Sequence, residues 1–298
     1  MNVSFLGLGS IGTPMAGHLS ENFALTVWNR TAEKAVAFAE THTCKVAATA
    51  GEAVKNADVV VTCLPSSREV ESVMLEENGP LSAFKRGAMH VDCTSGDPAT
   101  SRRLSAWLKE RGVSFMDAPV SGGVAAAVKG TLTVMCGGDS DTFQRAHQIL
   151  GSFGEKIVLC GPVGSGHALK AVNNALLALH IWSTAEGLAT LAKAGVAPQL
   201  ALDIINSSSG RSNASMNLFP ERVMTRAFPR TFKLALLEKD ARIAAEVARE
   251  QSVPAPLIQL VAELFGMARR SLGEEVDHVE AVKMIEGWAG MEIGSANE

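Results

Sequence analysis

Several groups of residues in this 298-residue chain have types and spacings that could do chemistry. The first is Gly7-Leu8-Gly9-Ser10-Ile11-Gly12, between the apolar run Val3-Ser4-Phe5-Leu6 and the helical Thr13-Pro14-Met15-Ala16. A G-x-G-x-x-G set between strand and helix is the fingerprint of a dinucleotide site. The first glycine permits the tight turn, the second lets the backbone approach a pyrophosphate, and the third allows close helix–strand packing. The following helix offers free N–H groups and the positive end of its dipole to the phosphates. A glycine turn holding nothing is the alternative, and the strand-to-helix context weighs against it.

The second group refines the first. An NAD site places Asp or Glu about 20 residues beyond the glycines, on the ribose hydroxyls. Here the run Leu25-Thr26-Val27-Trp28 ends in Asn29-Arg30-Thr31. A guanidinium, an amide and a hydroxyl can donate to a 2′-phosphate, and no carboxylate repels it. The expectation is NADP(H) preferred over NAD(H). Arg30 as an ordinary surface residue is the other possibility.

Lys170 and Asn174 form a third group, four residues apart and so on one helix face. Lys170 sits among Ala168, Leu169, Ala171 and Val172, where the chain leaves its first half, and clefts between domains concentrate ligand sites. Asn173 points about 100° away and serves as the comparison. A fourth group is Ser121-Gly122-Gly123, after a strand-like run and Pro119. Such a turn can present a hydroxyl and close backbone N–H groups to an anion, or be simply a turn.

The elements that must position these groups follow from periodicity. Up to about residue 160, strand-like runs (Asn2–Leu6, Leu25–Asn29, Asp58–Leu64, Ala88–Cys93, Val113–Asp117, Leu132–Cys136, Lys156–Leu159) alternate with helical stretches such as Ile11–Glu21, Ala32–Ala39, Ala99–Arg111 and Ser140–Leu150. Alternation of this kind signals a mostly parallel, doubly wound sheet with crossover helices. Beyond Gly161 strand signals stop. Gly166–Ala194 reads as one helix, about 40 Å long at 1.5 Å per residue. Helical stretches at Gln199–Asn206, Lys233–Gln251, Pro256–Ser271 and Val279–Gly287 follow. The fold expected is an α/β Rossmann domain over residues 1–162, then an all-α domain over 163–298 entered through a long interdomain helix.

Bulk properties agree. Hydrophobic residues make up 47% and charged ones 19%, ample for a globular core, and the net charge of −4 gives no reason to expect nucleic acid. The start of the chain reads as a strand rather than a signal peptide, and apolar runs break before the ~20 residues of a bilayer span. Cys44, Cys63, Cys93, Cys136 and Cys160 lack metal-type spacing. Neither a metal site nor a disulfide framework is expected, and a reducing, cytoplasmic location fits.

Gly7–Pro14 with Met15-Ala16, Asp117-Ala118-Pro119-Val120-Ser121-Gly122-Gly123, Gly164-Ser165-Gly166 with Lys170 and Asn174, and Lys239-Asp240 together resemble the β-hydroxyacid dehydrogenases over nearly the whole chain. That family contains 3-hydroxyisobutyrate dehydrogenase, tartronate semialdehyde reductase and glyoxylate/succinic semialdehyde reductase. The resemblance implies a Rossmann domain plus an all-helical domain, a homodimer or homotetramer, and a small carboxylate-bearing substrate. It makes Lys170 the catalytic acid and base. An ammonium there would stabilise charge growing on a carbonyl oxygen and donate the proton, and the neutral amine would take it back in oxidation. An ordinary lysine pKa of about 10.4 suits reduction, and the chain has no Tyr to compete for the role.

The resemblance also assigns Asn174, Ser121, Gly122, Gly123, Ser95, Phe232 and Asp240 to the substrate, with Lys239 and Ser95 at the cofactor. Loops Cys63-Leu64-Pro65-Ser66 and Asp92-Cys93-Thr94-Ser95-Gly96 follow strands, at the carboxyl ends where α/β sheets bind ligands; Leu64 and Pro65 thereby join the cofactor set. The family usually reads Asp-x-Ser-Thr in the second loop, so Ser95 keeps a hydroxyl and loses a methyl, and Gly96 replaces a larger residue. By spacing alone Lys239-Asp240 is a charged helix turn. Ser207–Ser212, with Arg211, is either a helix-ending loop or a carboxylate contact.

Two other readings compete. Imine reduction occurs on the same architecture, though those relatives usually carry Asp or Tyr in place of Lys170. A nucleotide sensor without chemistry would be expected to have lost Lys170, Asn174 and Ser121.

Overall fold

The computed structural model describes residues 1–77 and 79–294. It divides into two compact units, Met1–Ala171 and Val172–Glu298. The end of the domain expected to reach 298, residues 295–298, lies outside the described residues.

The first unit contains β1 (Asn2–Leu6), α1 (Gly12–Ser20), β2 (Ala24–Trp28), α2 (Ala32–Ala39), β3 (Lys45–Val46), α3 (Ala50–Val54), β4 (Val59–Thr62), α4 (Ser67–Leu75), α5 (Pro80–Ala83) and β5 (Met89–Asp92). It continues with α6 (Pro98–Glu110), β6 (Ser114–Asp117), β7 (Val120–Ser121), α7 (Gly123–Lys129), β8 (Leu132–Gly137), α8 (Ser140–Leu150) and β9 (Gly154–Gly161). The sheet runs β3-β2-β1-β4-β5-β6-β8-β7, with β9 also on β8. From β3 to β6 every pairing is parallel, so order reverses between β1 and β4, where doubly wound sheets take dinucleotides.

Two strands escaped the sequence reading. Lys45–Val46 is short and exposed at the sheet edge, without alternation to betray it. In Val120–Ser121, Ser121 is expected to open a Ser-Gly-Gly turn and instead ends a strand antiparallel to β8, opposite Thr133. β8 is also antiparallel to β6.

Alternation along the strands builds a core on each sheet face. Val3, Phe5, Val59, Val61, Met89 and Val91 pack with Met15 and Leu19 of α1 and Ile149 and Leu150 of α8. Leu6, Val60 and Ala88 face the other way, onto Val54, Val70, Leu104 and Leu108. Each fully buried aliphatic side chain contributes about 1.5–3 kcal/mol.

The second unit takes most of α9 (Ser165–Lys193), then α10 (Pro198–Asn206), a π-helix over Ala214–Val223, α11 (Leu234–Glu250), α12 (Pro256–Leu272), a 3-10 turn at His278–Ala281 and α13 (Val282–Ala289). The π-helix was not foreseen; it contains Pro220, which supplies no N–H and argues against a helix in sequence. By length and composition α9 is apolar enough to cross a membrane, as the core helices of many soluble proteins are. Its face of Ala175, Ala178, Ile181, Ala185 and Leu188 is buried, as in a core helix, and Trp182 packs on Phe265 of α12 at 6.0 Å between ring centres.

Candidate active site

The glycine turn is held in shape by backbone and by Asn29. Gly7 adopts φ +109° and donates its N–H to the Trp28 carbonyl at 3.0 Å. A Cβ on Gly7 would lie 2.3 Å from the Cys63 carbonyl oxygen, and one on Gly12 would lie 2.0 Å from that of Gly7. Gly9 differs: a Cβ there would meet nothing within 4 Å. Backbone at that point is open to a ligand, which fits the approach of a pyrophosphate. Ser10 is exposed and Ile11 half-buried against the core.

Asn29 accepts the Leu8 N–H on Oδ1 and donates from Nδ2 to the Thr31 carbonyl, both at 2.9 Å. Its amide therefore clamps the turn to the end of β2. Arg30 and Thr31 are exposed beside it. No carboxylate stands among these three residues, which fits a phosphorylated ribose.

The loops after β4 and β5 are joined through Thr94. Its hydroxyl accepts the Leu64 N–H at 3.0 Å, and its N–H donates to Asp92 Oδ1 at 3.1 Å. Thr62 donates to the same oxygen at 2.7 Å, and His90 Nε2 lies 2.9 Å from the Thr62 hydroxyl. Leu64 and Ser95 are half-buried and Pro65 is exposed. The thiols of Cys93 and Cys136 are buried, and burial pushes both pKa values up, that of Cys136 to about 12, so neither is a ready nucleophile.

Asp117, noted in sequence only as part of a motif, proves to anchor α9. It is fully buried at the end of β6 and accepts the N–H groups of Gly164 at 2.6 Å and His167 at 2.9 Å. These are donors at a helix start, where no intrahelical acceptor exists. Gly166 is forced by the same contact, since a Cβ would meet the Met135 carbonyl oxygen at 2.2 Å and Asp117 Oδ2 at 2.9 Å. Burial raises the Asp117 pKa, and the His167 charge and the backbone N–H donors oppose that rise.

Ser121 ends β7 half-buried. Gly122 and Gly123 follow with φ +134° and +70°, exposed, at the N-terminus of α7. The motif is thus a strand-to-helix junction rather than an isolated turn.

Lys170 is buried to 9% exposure on α9, and Asn174, one turn on, to 4%. Asn174 donates from Nδ2 to Asp240 Oδ2 at 2.6 Å, while Lys239 Nζ lies 3.2 Å from Asp240 Oδ1. Asn173, expected to point elsewhere, turns its amide onto Asn174 Oδ1 at 3.1 Å. The Asn174 amide is therefore fixed in one orientation. Phe232 is half-buried and held by residues the sequence reading missed. Asp277 accepts its N–H at 3.2 Å, the His278 N–H donates to its carbonyl at 2.8 Å, and the His278 ring meets its ring edge-on at 5.4 Å. Burial pushes the Asp277 carboxyl up, but His278 and the backbone N–H donors prevail and hold it well below the usual range. No sequence signal linked Asp277 to Phe232, 45 residues earlier. Ser207–Arg211 is an exposed loop after α10; Ser212 and Ser215 exchange backbone-to-hydroxyl bonds at 2.8 and 3.1 Å.

Two family models cover this chain: the NAD-binding domain of 6-phosphogluconate dehydrogenase over residues 2–161, and the NAD-binding domain of NADP-dependent 3-hydroxyisobutyrate dehydrogenase over 164–285. The chain belongs to the β-hydroxyacid dehydrogenase family. It is 34% identical to the 2-(hydroxymethyl)glutarate dehydrogenase of Eubacterium barkeri, covering 98% of this chain and 97% of that protein. Mouse mitochondrial 3-hydroxyisobutyrate dehydrogenase is 35% identical, over 89% of this chain and 81% of the relative. The structure of Mycobacterium tuberculosis 3-hydroxyisobutyrate dehydrogenase with L-serine superposes with a TM-score of 0.86 at 29% identity, covering 95% of this chain and 98% of that one. The protein is an NAD(P)-dependent hydroxyacid dehydrogenase of this family, with a mostly parallel Rossmann unit followed by a helical one.

Proposed function

We propose that the enzyme uses NADP(H) to interconvert a small β-hydroxyacid and its semialdehyde, with Lys170 moving the proton. The observation that carries this reading is a buried lysine on α9, one turn before an asparagine whose amide is locked by Asp240. A bound nicotinamide supplies or accepts the hydride. In reduction the Lys170 ammonium faces the charge growing on the carbonyl oxygen and donates its proton; in oxidation the neutral amine removes the hydroxyl proton. Asn174 orients that oxygen, and Ser121 with Gly122 and Gly123 holds the substrate carboxylate. Ser95, Phe232 and Asp240 complete the substrate site. Gly7 to Gly12, Leu64, Pro65, Ser95 and Lys239 hold the dinucleotide.

The preference for NADP(H) rests on Arg30 and Thr31, with Asn29 acting chiefly as the clamp of the turn. Arg30→Ala removes one charge-assisted hydrogen bond, about 1.5–3 kcal/mol, and should weaken NADPH about tenfold or more while sparing NADH. Tighter NADH than NADPH binding by the unaltered protein refutes the preference.

The activity test pairs NADPH with a panel of semialdehydes, and NADP with 3-hydroxyisobutyrate, L-serine and 2-(hydroxymethyl)glutarate. Lys170→Ala should lose turnover by at least about a hundredfold and keep NADPH affinity. Unchanged turnover in that variant sinks the mechanism. Imine reductases share the fold, as Myxococcus stipitatus imine reductase with NADP+ shows at a TM-score of 0.63 and 17% identity. That likeness is one of fold alone.

A homodimer or homotetramer joined through the helical unit is supported by exposed apolar pairs one turn apart, Leu200 with Ile204 on α10 and Leu257 with Leu260 on α12. All five cysteines are free, which favours a reducing compartment such as the cytoplasm.

A further inference from the structure

We propose that His167 is a positioning residue that sets the reach of Lys170, by tying the first turn of α9 to the loop after β5. This rests on the role proposed for Lys170 above. His167 is fully buried, and both ring nitrogens are bonded: Nε2 lies 2.8 Å from the Thr94 carbonyl oxygen and Nδ1 lies 2.7 Å from the Ser101 hydroxyl. A carbonyl can only accept, so Nε2 carries a proton and donates it to Thr94. Its backbone N–H is held by Asp117 at 2.9 Å. One residue is thus fixed from β6, from α6 and from the loop after β5.

Thr94 makes this more than a packing contact. Its hydroxyl takes the Leu64 N–H, its own N–H goes to Asp92, and its carbonyl takes the imidazole proton. Ser95 follows it directly, and then Gly96, where a Cβ would meet His167 Cε1 at 2.9 Å and Ser67 Oγ at 2.2 Å. The loop therefore lies against the imidazole with no room for a side chain between. Lys170 comes three residues after His167, a neighbour on the helix surface. Any slide or rotation of this first turn moves the ammonium relative to Ser95, and a misplacement of about 1 Å can cost about a hundredfold in rate. His90 provides the contrast: it is equally buried, yet its Nδ1 has no partner among the described residues. His167, beside Lys170, has a partner on both ring nitrogens where His90 has one only on Nε2.

The test compares His167→Leu, His167→Gln, Ser101→Ala and Lys170→Ala with the unaltered enzyme, using NADP and whichever hydroxyacid of the panel turns over fastest. His167→Leu should lower kcat by about tenfold or more, with hydroxyacid KM and NADPH Kd within about threefold. His167→Gln retains an N–H donor for the Thr94 carbonyl and should recover most of kcat. Ser101→Ala, which leaves the Thr94 bond in place, should fall about threefold in kcat with KM unmoved. A His167→Leu kcat within about twofold of normal, or a His167→Gln enzyme as slow as the leucine variant, overturns the proposal. If the leucine variant does not fold, normal kcat in Ser101→Ala overturns it instead. Full activity in Lys170→Ala refutes the lysine assignment itself, whereas an inactive Lys170→Ala beside a normal His167→Leu refutes only the role of His167.

Discussion

Replacing Asp117 with Asn tests the anchor of α9 directly. The carboxylate accepts two N–H groups, from Gly164 at 2.6 Å and His167 at 2.9 Å, and is fully buried. An amide oxygen can keep one of these; the amide nitrogen then turns a donor toward the other. Leaving one buried N–H without an acceptor costs about 1–3 kcal/mol, partly offset by removal of a buried charge. A net loss of about 1–2 kcal/mol corresponds to a fall in Tm of about 2–8 °C for a unit of this size. The pH dependence has a definite sign. Burial raises the Asp117 pKa in the folded state, so the folded form binds the proton more tightly than the unfolded one. Its contribution is fully present below the ordinary Asp pKa of about 3.9 and is lost as pH rises through the folded value. Scanning calorimetry of both proteins without cofactor, from acid to neutral pH, should therefore show the largest Asp117→Asn deficit at the acid end, narrowing toward neutrality. A deficit that widens with pH, or no deficit anywhere, refutes the reasoning.

Gly9→Ala should leave Tm within about 2 °C, because the new methyl meets nothing in the chain, while weakening NADPH binding about tenfold or more; equal affinity would show that no ligand approaches there. His90 is held down to about 4 by burial, with Asp92 opposing, so as pH falls from 6.5 toward that value the protein should lose up to about 3 kcal/mol that His90→Leu does not lose. Denaturant titrations at both ends of that range read the difference, and parallel losses in the two proteins would refute it. Ile204→Glu combined with Leu257→Glu should convert an oligomer to monomer in light scattering; an unaltered protein already monomeric at micromolar concentration overturns the assembly.

What the sequence revealed was local and periodic. Gly7, Gly9 and Gly12 could be read because their reasons lie within a strand–turn–helix of known geometry. The long helix over 166–194 came through because its apolar spacing is unbroken, and the structure puts it at Ser165–Lys193. The hidden parts depend on partners distant along the chain. Gly166 is required by the Met135 carbonyl and Asp117, and His167 meets Thr94 and Ser101 across 73 and 66 residues. Asn29 looked like a phosphate donor because residue type alone does not disclose that its amide is already engaged with Leu8 and Thr31. The π-helix stayed invisible because Pro220 suppresses every ordinary helix signal.

The two family models meet in the short stretch between residues 161 and 164, but the compact units divide at Ala171 and Val172, inside α9 and between Lys170 and Asn174. Anyone grafting the helical unit of one relative onto the Rossmann unit of another has no loop at that seam to absorb an error. Each residue gained or lost between Lys170 and Asn174 would move Asn174 by about 100° around the helix axis, off the lysine's face of the helix. Recombination in this family, by breeding or by design, is therefore constrained to splices that preserve helical phase.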